Sequence, residues 1–204
     1  MDKMKNGAVL RNGTQRTAKE VFEKYAIVIA FLALLIVVSI LCSSFLTPSN
    51  LILVLNQTSI NGILAVGITY VLITAGIDIS IGSVVGLSGV ISAMVVKAGA
   101  PLPVGFLCGI LAGTLVGVII GILVTKGKLA PYIVTLGFLT IIRGAALLIA
   151  GGRPISSLGD AYGWIGNHNV FGVIPCPVII FLIVVVIGHI ILAHLQIGRY
   201  IYAV

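Results

Sequence analysis

From Tyr25 to Leu46 the chain runs for 22 residues without a charged side chain, and comparable apolar runs recur through the rest of the sequence. Segments of this kind are not built for water. A helical crossing of a bilayer takes about 20 apolar residues, so the first run is long enough to span and too long for the core of a cleaved signal peptide. Only 8% of the residues are charged, against about 25% in a soluble domain, which leaves too little polar surface for a water-exposed fold. The sequence therefore specifies an integral membrane protein.

Short breaks divide the apolar runs: Thr47-Pro48-Ser49-Asn50, Gly76 to Ser80, Lys97 to Pro103, Lys126-Gly127-Lys128, the long stretch Gly151 to Pro175, and His194 to Tyr200. Proline and glycine mark most of them as turns. Spans are expected at 25–46, 51–75, 81–97, 103–125, 131–150 and 176–195. The fold class is all-α, a polytopic helix bundle of about six crossings.

Charge placement orients it. Residues 1–24 hold Lys3, Lys5, Arg11, Arg16, Lys19 and Lys24 against Asp2, Glu20 and Glu23, and read as a basic cytoplasmic tail before a transmembrane domain over 25–204. With that tail inside, Lys126, Lys128 and Arg199 also fall inside, so nine of the twelve basic residues share one side. This is the bias of cytoplasmic loops, and six crossings place both termini in the cytoplasm. The net charge of +7 thus reports orientation and requires no nucleic-acid partner.

Several chemistries are missing. Cys42, Cys108 and Cys176 stand far apart, with no CxxC and no cysteine–histidine cluster, so no metal site is expected and the thiols read as small buried hydrophobes. There is no Walker lysine motif, GxSxG, HExxH or helix-opening GxGxxG. Neither a catalytic residue nor a cofactor is expected, and an energy-driven role would need its energy from elsewhere.

The fourth span carries Gly105, Gly109, Gly113, Gly117 and Gly121. Spacing of four keeps them near one helix face, drifting slowly because a turn takes 3.6 residues, and such a stripe lets another backbone approach. Gly82, Gly86 and Gly89, with Ser83, Ser88 and Ser92, offer a mate on the third span. These two spans are expected to pack as a close pair.

The second span concentrates Asn56, Gln57, Thr58, Ser59 and Asn61, roughly 8 to 15 Å below its outer end. Amides at that depth are costly against lipid. They either hydrogen-bond neighbouring helices or line a path for an uncharged, hydrogen-bonding solute. Asp78 is the only acid between Glu23 and Asp160; Asp78 or Ser80 caps the third helix, or the break is a discontinuity inside the membrane. Arg143, within the fifth span, either anchors by snorkelling or by bonding loop carbonyls or Asp160, or lines the outer mouth. The outer loop 151–175, with Tyr162, Trp164 and His168, suits either interfacial anchoring or docking of an extracytoplasmic partner. His189 and His194 fall at the inner interface.

Three stretches carry a resemblance: NQTSINGILAVGITYVLITAGIDISIGSVVGLSG, VTKGKLAPYIVTLGFLTIIRGAAL and QIGRYIYAV. They resemble, from about Leu46 onward and in order, the membrane-spanning permeases of bacterial ABC importers for ribose and related monosaccharides, in the branched-chain amino acid and sugar permease superfamily. The specific positions are Gly76-Ile77-Asp78-Ile79-Ser80-Ile81-Gly82-Ser83, Thr135-Leu136-Gly137, Arg143-Gly144 and Gly198-Arg199-Tyr200. The resemblance implies a plasma-membrane permease working by alternating access. Its implied partners are a second permease copy, cytoplasmic ABC ATPase subunits, an extracytoplasmic sugar-binding protein and membrane lipid. It also implies that the sequence stops before the ATPase-docking segment, as a truncated form of a longer permease. Branched-chain amino acids, furanosyl signals and nucleosides are alternative cargoes within that class. Outside it stand a passive channel and an ion-coupled secondary transporter, the latter disfavoured by the scarcity of intramembrane acids.

Overall fold

A computed structural model describes residues 23–170 and 172–203. The chain divides into two compact units, one ending at Leu53 and the other beginning at Val54. The basic tail up to residue 22 lies outside the described residues.

In the first unit, helix α1 (Glu23–Leu41) is long and apolar enough to cross a membrane. It stops five residues before the expected Leu46, where Cys42, Ser43 and Ser44 replace large apolar side chains. The turn that follows is tied locally: Thr47 Oγ1 donates to Ser44 O at 2.7 Å and Asn50 Nδ2 to Phe45 O at 2.8 Å. Short polar side chains satisfy backbone groups and so compete with helix continuation. Pro48 then opens α2 (Pro48–Ile73), which runs into the second unit.

The second unit continues with α3 (Ile81–Lys97), α4 (Leu102–Thr125), α5 (Pro131–Ile149), α6 (Asp160–Asn167), α7 (Cys176–His194) and α8 (Gln196–Ala203). Proline in the first turn starts α4, α5 and α7, where its missing N–H costs no intrahelical bond. The α5 terminus is closed by Gly151 at φ 65°, with Gly152 N donating to Leu147 O at 2.9 Å, the Schellman pattern that favours glycine. The α2 terminus has the corresponding bond, Gly76 N to Val71 O at 2.9 Å, but puts Ala75 at φ 55°.

Counting α1, five helices meet the length and hydropathy needed for a crossing. The sixth expected span is α3, an apolar helix of 17 residues, which at 1.5 Å per residue is about 25 Å long. Each expected run thus holds one helix. Four further elements fall where turns were expected. The 151–175 loop contains α6 and a two-stranded antiparallel hairpin, β1 (Asn169–Val170) with β2 (Ile174–Pro175), in register Asn169 with Pro175 and Val170 with Ile174. The 194–200 break is confined to Leu195, at ψ 155°, and α8 begins immediately after it.

The unit is organised round α3, whose most extensive packing is with α4 and then α5. Its buried residues are small and largely hydroxylic: Ser80, Ser83, Ser92, Ala93 and Thr135 stand beside Leu87, Val134 and Ile142. Among lipid tails, apolar burial gives no drive to associate, and small side chains permit the close contacts that do. A Cβ on Gly109 would lie 2.8 Å from Ser88 O, and one on Gly113 would lie 2.8 Å from Ser88 Oγ. A Cβ on Gly105 would strike Val96 Cγ2 and lie 3.0 Å from Ser92 O. Gly117 and Gly121 meet nothing within 4 Å, so α3 covers only the first three glycines of the stripe. Of the expected mate, Ser88 and Ser92 do face α4, joined by Val96, whereas Gly82, Gly86 and Gly89 meet nothing within 4 Å and Ser83 turns to α5.

Candidate functional site

The polar run on α2 divides into two sets. Ser59 is buried, and its hydroxyl donates to Leu55 O at 2.6 Å. Asn56 Nδ2 donates to Gly166 O of α6 at 3.0 Å, while its enclosed Oδ1 accepts no hydrogen bond. Gln57, Thr58 and Asn61 are exposed. Residues 57 and 61 lie one turn apart and 58 lies beside them, so they make a polar patch on a helix of membrane-spanning length. An unsatisfied amide in hydrocarbon costs several kcal/mol, which makes water or a polar solute the suitable neighbour for this patch.

At the far end of α2, residues 74–80 are non-helical. Asp78 Oδ1 accepts from Ser80 N at 2.8 Å and from Ser80 Oγ at 2.6 Å. Ser80 occupies the N-cap of α3 but makes no side-chain cap bond; its hydroxyl donates to Asp78 rather than accepting a helix N–H. Two bonds fix this corner to α5, one from Thr135 Oγ1 to Ile77 O at 3.2 Å and one from Ser83 Oγ to Leu139 O at 2.8 Å. The motif residues Asp78, Ser80 and Ser83 are therefore a joint between α2, α3 and α5.

Above that joint, α3 and α5 bound a groove of about 800 Å³. Gly82, Gly86 and Gly89 form one wall and Arg143 stands on the other, with Arg153 and Tyr162 contributed by the following loop. The α3 glycines thus widen a cavity instead of admitting α4. Arg143 is exposed, and among the described residues it forms no ion pair with Asp160.

Helix α6 closes over this region. The Tyr162 ring stacks on Phe106 of α4 with centroids 5.6 Å apart, and its hydroxyl lies 3.5 Å from Gly89 O of α3. With the Asn56–Gly166 bond, α6 is fastened to α2, α3 and α4. A second groove of about 470 Å³ lies beneath Tyr162 between α3 and α4, lined in part by Ser88 and Ser92, and Ser92 Oγ is enclosed without a partner. On the other side of α6, Trp164 and His168 stack at 4.4 Å. Sequence reading missed this helix; its one local signal is Asp160 following Gly159, an acid in a first turn.

At the opposite helix ends, α8 folds back on α7. A Cβ on Gly198 would strike Leu192 O and lie 2.6 Å from Ile191 O, so glycine is what lets α8 approach. His189 and His194 meet edge-on there, with ring centroids 5.9 Å apart.

The family model described as branched-chain amino acid transport system / permease component matches residues 50–204. The chain is 40% identical over 185 residues to the ribose import permease protein RbsC of Bacillus subtilis (strain 168), covering 90% of this chain and 58% of that protein. It is 37% identical to the ribose import permease protein RbsC of Escherichia coli (strain K12), over 86% of this chain and 56% of that protein. To the D-allose transport system permease protein AlsC of the same strain it is 34% identical, over 89% and 56%. The chain therefore spans less than three-fifths of the length of these curated relatives. No solved structure matches it. The matched stretch takes in the α2 patch, the Asp78 joint and the groove beside Arg143, and on it this chain belongs to the family of branched-chain amino acid transport system permease components.

Proposed function

We propose that this chain is the permease subunit of an ABC importer for a ribose-type monosaccharide in the bacterial plasma membrane. The observation that carries the reading is the patch of Gln57, Thr58 and Asn61, exposed on a helix of membrane-spanning length. An amide offers both donor and acceptor, so it replaces the hydration of a sugar hydroxyl group by group without a fixed charge to hold the solute. Similarity to ribose and allose permeases supports the cargo class.

Transport then proceeds by alternating access. A second permease copy completes the pathway, cytoplasmic ABC ATPase subunits supply the energy, and an extracytoplasmic sugar-binding protein delivers the solute. The Asp78 joint and the contacts of Gly105, Gly109 and Gly113 keep α3, α4 and α5 moving as one body beside α2. Ion coupling is disfavoured by the state of Asp78, whose Oδ1 already accepts two hydrogen bonds. The test is uptake of labelled ribose in cells that also supply the ATPase and binding protein. Replacing Asn61, which is exposed, by Leu should impair uptake with assembly intact; undiminished uptake would overturn the assignment of this patch.

A further inference from the structure

The face of α6 turned away from Tyr162 holds a polar pocket of about 410 Å³, lined by Gly159, Asp160, Gly163, Trp164, Asn167 and His168. None of the motifs that carry the family likeness falls in it. Its volume is within the roughly 300–1,000 Å³ of small-molecule sites. The Trp164 and His168 rings lie nearly parallel, 18° apart with centroids at 4.4 Å, while Trp164 keeps 56% of its surface exposed. Stacked with His168, the exposed part of the indole gives the pocket a flat apolar platform.

Beside this platform stand a carboxylate, an amide and an imidazole. Among the described residues, none of the three has a hydrogen-bond partner. Asp160 is an acceptor only, and Asn167 and His168 both donate and accept. A flat ring with apolar C–H faces and a rim of hydroxyls matches both halves of this surface. The pocket contains one acid and no lysine or arginine, so it disfavours phosphorylated sugars and free carboxylates.

We infer that this pocket is a monosaccharide-binding site at the mouth of the pathway, where a pyranose or furanose ring stacks on Trp164 and donates hydroxyls to Asp160. The inference rests on the sugar-permease reading. Its position suits hand-over: two residues from Trp164, the Gly166 carbonyl accepts from Asn56 at 3.0 Å, and Asn56 adjoins the exposed patch of α2. A sugar leaving the pocket meets amides next.

Trp164 is the only tryptophan in the sequence, so all tryptophan emission arises at this pocket. The full chain in lipid nanodiscs is titrated with D-ribose, with glycerol as an open-chain polyol control and L-leucine as an amino-acid control. The expected result is a saturable change for ribose in about the millimolar range and none for either control. Asp160→Asn should weaken binding at least about tenfold through loss of a charge-assisted bond, and Asn167→Ala should weaken it by less. Circular dichroism, with an unshifted Trp164 emission before addition, identifies variants that keep the fold, and Asn167→Ala provides the reading if Asp160→Asn does not. A linear response, a response indifferent to both substitutions, or a saturable response to leucine overturns the site. Ribose uptake measured on the same wild-type chain separates the two claims: uptake without saturable fluorescence removes the pocket and leaves the permease reading standing, whereas fluorescence without uptake removes the permease reading.

Discussion

A methyl group added at Gly109 tests the packing that holds α3 and α4 together. Built on the existing backbone, it falls 2.8 Å from Ser88 O and 3.2 Å from Ser92 Cβ. The first distance is shorter than real Cβ contacts allow, and the atom it meets is backbone, so a whole helix must move. Overpacking of this kind costs about 1–3 kcal/mol. Alanine also recovers up to about 1 kcal/mol of helix propensity relative to glycine, so the net loss for Gly109→Ala is roughly 0–2 kcal/mol. Gly117→Ala carries the same propensity gain and meets nothing within 4 Å. Subtracting one variant from the other removes propensity and leaves the steric cost, about 1–3 kcal/mol. Unfolding in mixed micelles by increasing mole fraction of SDS, followed by Trp164 emission, measures that difference. α6 is stacked on α4 through Tyr162 and Phe106, so separation of α3 from α4 disturbs the reporter. A Gly109→Ala protein at least as stable as Gly117→Ala would refute the close approach of α3.

Two other substitutions probe backbone and packing. Ala75 holds φ 55° at the end of α2, where a Cβ costs about 1–2 kcal/mol; Ala75→Gly should raise stability by roughly 1 kcal/mol, read as a higher SDS midpoint. Gly198→Ala should push α8 away from the Ile191 and Leu192 carbonyls, and spin labels on α7 and at Tyr202 should report a longer or broader distance distribution than in the parent.

The helices were legible in the sequence because in lipid the apolar run is itself the structural signal: each expected span contains one helix, and proline or glycine marks most boundaries. α6 was hidden because eight residues with Gly163 and Gly166 among them have poor intrinsic helicity, and the stacking of Tyr162 on Phe106 is a long-range contact. Spacing identified the α4 stripe and the Ser88 and Ser92 part of its mate but not the fate of the α3 glycines, since periodicity states which residues share a face and not which face is covered. That is why the α3 glycines, expected against α4, instead border the groove beside Arg143. The polar run on α2 was visible as composition. Its division into Ser59 and Asn56, held by packing, and Gln57, Thr58 and Asn61, left exposed, required the fold.

In a sugar permease this exposed patch faces the solute path and not lipid. With Cys42, Cys108 and Cys176 replaced by Ser, single cysteines at Asn61 and at Ile60, which is 46% exposed, are challenged in membranes with a charged, water-soluble thiol reagent. Rapid labelling is expected at 61, slowed by ribose, and slow labelling at 60. Equal rates at the two positions, with no effect of ribose, would contradict that placement.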